Sequence, residues 1–156
     1  MKKILISGVA ADKNVAKIRV AGLGNDPDST FRLLNLLDKN NLNIDVMIQS
    51  LGKDGTKSVS FTVAKPDLLR ALDLLNDNKD YLGIKKLDSD EKVAKVSVIG
   101  AGIRSHSGVA AKMFGALASI GVNTEMVTTS EIRITVLIDE EYTDLAMRKL
   151  HETFIN

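Results

Sequence analysis

The chain has 156 residues, with 21 basic and 20 acidic side chains and a net charge of +1, so no strong field draws it to nucleic acid or an anionic membrane. It holds no cysteine, which excludes disulfides, thiolate metal sites and cysteine nucleophiles. Hydrophobic residues make up 44% and charged residues 26%, as in a soluble globular protein; no apolar run reaches the ~20 residues of a membrane span, and the signal-like start Met1-Lys2-Lys3 meets Asp12 and Lys13 too soon, so a cytoplasmic location is expected.

Residues Ile4 to Val9 form a short β-branched apolar run, a strand. A polar turn follows, then Ala16 to Ala21 alternates, with Ile18 and Val20 on one face and Lys17 and Arg19 on the other. Gly22, Gly24, Asn25, Asp26 and Pro27 make a loop. Pro27 suits the first position of a helix, where its missing amide costs nothing, with Asp26 as N-cap. Phe31, Leu34 and Leu37, with Leu33 and Leu36 alongside, give a helical stripe through Asn40. Asn43 to Gln49 alternates, placing Ile44, Val46 and Ile48 inward. Gly52-Lys53-Asp54-Gly55 reads as a hairpin turn, and Val59, Phe61 and Val63 continue the sheet. Pro66 starts a second helix with Leu68, Leu69, Leu72 and Leu75 inward, and Ile84 to Leu87 is a last strand.

This order, strand–helix–strand–strand–helix–strand, predicts an α+β ferredoxin-like unit with helices on one face of an antiparallel sheet. The second half repeats it. Val93-Ala94-Lys95-Val96 echoes Val15-Ala16-Lys17-Ile18, and Gly100/Gly102 echo Gly22/Gly24. The offset from Val15 to Val93 is 78 residues, half of the 156. Strands are expected at Val93–Ile99, Asn123–Thr128 and Ile132–Ile138, and helices at Ser107–Ile120 and Tyr142–Phe154. The second unit then lacks a final strand, while residues 4–9 are an orphan. Pairing that N-terminal strand into the second unit completes both. The prediction is a βαββαβ unit over 15–90 inserted into a second one made of 1–14 plus 91–156.

Candidate chemistry is sparse. Gly22-Leu23-Gly24 and Gly100-Ala101-Gly102 each sit between a strand and a helix, but the third glycine of a dinucleotide fingerprint is replaced by Pro27 and Ser105. His106 and His151 lie in different contexts with no zinc spacing. Adjacent Ser105, His106 and Ser107 cannot pair as nucleophile and base by proximity in sequence alone. Few aromatics are present to stack RNA bases. No catalytic residue, metal or cofactor is assigned. What remains is two helix N-termini, at Asn25–Thr30 and Ser105–Ala110, whose free amides suit a carboxylate. Asn43 and Asn123 begin equivalent strands, with Asp45 and Glu125 two residues on as candidate partners for an ammonium group.

The chain resembles the regulatory region of aspartokinase, a tandem pair of ACT domains, along nearly its whole length. The resemblance is carried by Ile6-Ser7-Gly8-Val9-Ala10, Leu42-Asn43-Ile44-Asp45 with Ile48-Gln49-Ser50, and Lys95 to Gly102. More specific are Ser105-His106-Ser107-Gly108-Val109 and Thr129-Ser130-Glu131-Ile132-Arg133-Ile134. It implies a non-catalytic region, lysine-sensitive and beta-subunit-like, that binds an end-product amino acid, lysine first and threonine second, for feedback control of lysine, threonine and methionine biosynthesis. It implies a homodimer through the ACT units and a kinase domain or alpha subunit as partner, with the kinase domain preceding this region. A free-standing amino-acid-sensing ACT protein serving another partner is the alternative. By motif position the effector residues would be Asn25, Asp26, Asp28, Thr30 and Gln49 in the first unit. In the second they would be Ser105, His106, Ser107, Gly108, Val109, Ala110, Asn123, Thr124, Glu125, Ser130 and Glu131. Relatives carry Pro-Gly where this chain has Pro27-Asp28, so a carboxylate stands where the ligand's own is expected. The first-unit site is therefore expected to be weakened or altered.

Overall fold

The structure, a computed structural model, describes residues 5–103 and 106–155. The chain divides into two compact units, one the continuous segment Asn14–Glu91, the other joining the segment through Lys13 to that from Lys92 onward. We call these the first and second units. No helix among the described residues is long and apolar enough to cross a membrane.

The first unit holds β2 (Val15–Leu23), α1 (Pro27–Lys39), β3 (Met47–Leu51), β4 (Lys57–Ala64), α2 (Leu68–Asp77), the short α3 (Lys79–Leu82) and β5 (Lys86–Asp90). The second holds β1 (Leu5–Asp12), β6 (Val93–Ala101), α4 (Ser107–Ser119), β7 (Val127–Thr129), β8 (Arg133–Asp139) and α5 (Thr143–Phe154). Their antiparallel sheets run β3-β4-β2-β5 and β1-β6-β8-β7. The N-terminal strand thus completes the second unit, as its missing strand required, and the register is reciprocal. Val20 lies opposite Leu87, while its repeat counterpart Val98 lies opposite Val9, the counterpart of Leu87. Each repeat lends its first strand to the other's sheet.

Alternation explains the cores. Ala16, Ile18 and Val20 of β2 and Val59, Phe61 and Val63 of β4 pack under Leu33, Leu37, Ala71 and Leu75. Burying each of the larger side chains contributes about 1.5–3 kcal/mol. The second core repeats the design with Ala94, Val96, Val98, Ile134, Val136 and Ile138 under Met113, Leu117, Ala146 and Leu150.

Two helical stripes differ from expectation. Phe31 is 64% and Leu69 74% exposed. The buried face of α1 is Ser29, Leu33 and Leu37, and that of α2 is Leu68, Ala71 and Leu75. Apolar neighbours at adjacent positions diverge by about 100° around a helix, so only part of a leucine-rich run can face the sheet.

The strands expected from Asn43 and Asn123 begin later, at Met47 and Val127. The Asp45 amide donates to the Thr62 carbonyl and the Thr62 amide to the Val46 carbonyl, while the Val46 amide turns to Thr62 Oγ1. Two residues thus face one, a β-bulge that delays regular pairing. Glu125 and Met126 face Leu137 in the same way. The alternation of exposure survives it: Asn43, Asp45, Asn123 and Glu125 are exposed, while Val46 and Met126 are buried.

Candidate functional site

In the first unit β2 ends at buried Leu23, and the chain turns through Gly22 at φ +84°. A Cβ there would lie 2.5 Å from Lys85 Cβ, so the position requires glycine. Asp26 is the N-cap of α1 by backbone conformation, but its side chain caps nothing. Its carboxylate lies 3.7 Å from Arg32 Nη2 instead. The loop is held by the buried Ser29, whose hydroxyl reaches the carbonyls of Gly24 (2.7 Å) and Asp26 (3.1 Å), and by Lys57 Nζ, which donates to the Asp26 carbonyl at 3.0 Å. Thr30 Oγ1 donates to Gln49 Oε1 at 2.5 Å, joining α1 to β3. Asn25 and Asp28 are exposed.

The second unit builds its loop differently. Arg104 and Ser105 lie outside the described residues, so the Ser105 assignment does too. Gly102, at φ +76°, turns the chain after β6. Ile103 is buried; its amide donates to the Glu131 carbonyl (3.1 Å), and the Gly100 amide donates to that of Ile132 (2.8 Å). His106 is the N-cap of α4, with no side-chain cap bond. Its amide donates to the Ile103 carbonyl and its carbonyl accepts from the Val109 amide. Ser107 and Gly108 are exposed, Val109 buried and Ala110 half-buried. Gly108 is the second residue of its helix, as Asp28 is of α1, and a Cβ on it would meet nothing within 4 Å.

Two hydrogen bonds therefore seat this loop against the hairpin of Ser130 and Glu131. Ser130 Oγ accepts from the amides of Ile132 (3.4 Å) and Arg133 (3.2 Å), which tightens that hairpin, and the Glu131 side chain is exposed. Asn123, Thr124 and Glu125 lie at the far end of β7. Glu125 bonds opposite Leu137, whose β6 partner is Lys95, well down the strand from Gly100. That pairing sets them toward the opposite end of the sheet from the loop.

The dinucleotide reading fails on topology. β2 and β3 both pair antiparallel with β4, and β6 and β7 with β8. Each glycine pair thus opens a split crossover, with an antiparallel strand between its two parallel strands, not the adjacent parallel pair of a dinucleotide fold. Among the described residues no group of three or more His, Asp or Glu is placed to hold a metal. Ser29, Arg32 and Lys57 were not singled out in the sequence. A serine two residues after Pro27, at the start of a helix, was the available signal for the first.

The ACT domain model matches residues 96–154. The chain is 38% identical over 154 residues to an aspartokinase of Pseudomonas aeruginosa, covering 99% of this chain but 37% of that relative's length. A solved structure of aspartokinase alpha and beta subunits is 42% identical, with a TM-score of 0.90 and coverage of 97% of this chain and 100% of that one. The chain belongs to the aspartokinase family. The ligand-free regulatory subunit of aspartate kinase from Thermus thermophilus is similar over 96% of this chain and 98% of that one, at 35% identity and a TM-score of 0.90. It is the regulatory ACT region of an aspartokinase that these residues match.

Proposed function

We propose that this aspartokinase regulatory chain senses an end-product amino acid, lysine with threonine as the second candidate, and controls a catalytic domain or subunit in the cytoplasm. The second-unit loop Ser105–Ala110, with Ser130 and Glu131, receives the effector's carboxylate on the α4 amides. The exposed Glu131 side chain is matched to one of its ammonium groups, and Glu125, remote from the loop in its own chain, would serve from a second copy. A second copy of the chain completes the site, and the assembly is a homodimer through its ACT units.

The observation that carries this reading is the contrast at the second helical position. Gly108 leaves an exposed helix N-terminus open to a ligand. At the equivalent place Asp28 sets a carboxylate beside the same kind of amides, where it repels another anion. The first-unit site is on this reading the weaker one.

Calorimetry with lysine and with threonine tests the reading. Saturable binding to the chain is expected, and Asp28→Gly is expected to add a second class of sites or to tighten the first. Failure of both amino acids to bind would refute the sensing role, and an unchanged Asp28→Gly isotherm would refute the weakened first site. Co-purification of an aspartokinase catalytic chain tests the partner.

A further inference from the structure

The loop assigned to the effector sits at the end of β6, and β6 is held on one side by the N-terminal strand. Leu5 lies opposite Ala101 and Ile6 opposite Gly100; the register then shifts at Ser7 before Gly8 faces Ile99. Ser7 Oγ donates to the Ile99 carbonyl at 3.2 Å, fastening the irregular residue in place. Gly100 is also the residue whose amide donates to Ile132. The first residues of β1 therefore grip the point of β6 that anchors the loop to the Ser130–Ile132 hairpin.

The Ile6 side chain meets the same loop by a separate route. It packs, half-buried, against the second core and lines a cavity of about 200 Å³ with Gly108, Val109, Lys112 and Phe154. Lys112 Nζ stands 5.3 Å from the centre of the Phe154 ring, which closes that side with a cation–π contact. The N-terminal turn of α4 thus shares with Ile6 the wall of a partly open pocket.

We propose that Ile6 is a positioning residue for the second-unit loop, and that β1, through its pairing with β6, sets how well that loop binds the effector. Backbone pairing and side-chain packing act on one loop from one strand, so displacing β1 by a residue moves both the Gly100 anchor and the floor under Val109. This inference rests on the loop's assignment as the effector site, and its test separates the two.

The full chain is compared with Ile6→Ala, with the conservative Ile6→Val, and with Ile138→Ala. Ile138 belongs to the same core but pairs with Ala94, at the opposite end of β6. Amide hydrogen exchange without ligand reads the positioning directly. Ile6→Ala is expected to speed exchange at Gly100, Ile103 and Val109, Ile6→Val to restore it, and Ile138→Ala to lower Tm without that local pattern. In calorimetry Ile6→Ala is expected to weaken lysine binding about fivefold or more, with Ile138→Ala close to the parent. Equal exchange at these amides in Ile6→Ala and Ile138→Ala would overturn the proposal. A parent chain that binds neither lysine nor threonine would instead overturn the effector assignment, while the exchange pattern still decides the role of Ile6.

Discussion

Asp28 and Gly108 occupy the same position of repeated helices, and on the proposed reading that one side chain makes the first-unit site the weaker. The helix position of Asp28 was visible in the sequence, because it depends only on where a helix begins. The fastening of the first-unit loop was not visible, since Ser29, Lys57 and Arg32 converge on Asp26 from two elements. A buried hydroxyl pair offers a sharper residue-level test. Ser97 and Thr135 face each other across β6 and β8 with their oxygens 2.7 Å apart, both at most 6% exposed. Ser97→Ala strands the Thr135 hydroxyl and is expected to lower stability by about 1–3 kcal/mol. Ser97→Ala with Thr135→Val removes both polar groups and should recover most of that loss in a denaturant titration. Asp54 makes a pH prediction. It accepts from the Thr56 hydroxyl (2.7 Å) and amide (3.0 Å), and these bonds hold its carboxyl below the ordinary value. A depressed carboxyl favours the folded hairpin fully above its unfolded value, and the benefit is lost as pH falls through the folded one. Carboxyl NMR should show Asp54 titrating late on acidification, and Thr56→Val should return it toward normal.

At the scale of elements, the starts of α1, α4 and β6 and the glycine turns were legible, whereas α2 begins at Leu68 rather than Pro66 and β3 and β7 begin late. Pro27 begins α1, and Gly121, at φ +72°, follows α4 as its stop. Both are local conformational preferences that no distant residue overrides. The late starts of β3 and β7 come from bulges opposite Thr62 and Leu137, and a bulge is a property of two strands together. Gly22 tests how far local geometry dictates sequence. Gly22→Ala meets both a positive φ and the Lys85 side chain, so a loss of about 1–3 kcal/mol is expected, read as a lower Tm.

For the whole molecule, the exchange of first strands makes the two units unequal. The first is one continuous segment, whereas the second depends on a strand delivered from the far end of the chain. Val9 packs against the second core, so Val9→Asp is expected to lower hydrogen-exchange protection across residues 92–155. Protection of residues 14–91 should change little. Uniform loss in both units would show that they unfold as one cooperative block.

The sequence by itself determined the repeat, the α+β class and the destination of the N-terminal strand. Those follow from hydrophobic period and from the requirement that every strand find a partner, and both are written along the chain. It also pointed to the family through the Ser105–Val109 and Thr129–Ile134 segments. Tertiary structure alone decided which face of α1 is buried, leaving Phe31 in solvent, and that Asp26 turns to Arg32 rather than capping its helix. It also decided that the second loop is seated against Ser130 and Glu131 but away from Asn123. These depend on distances between residues remote in sequence, which packing sets and local preference does not encode.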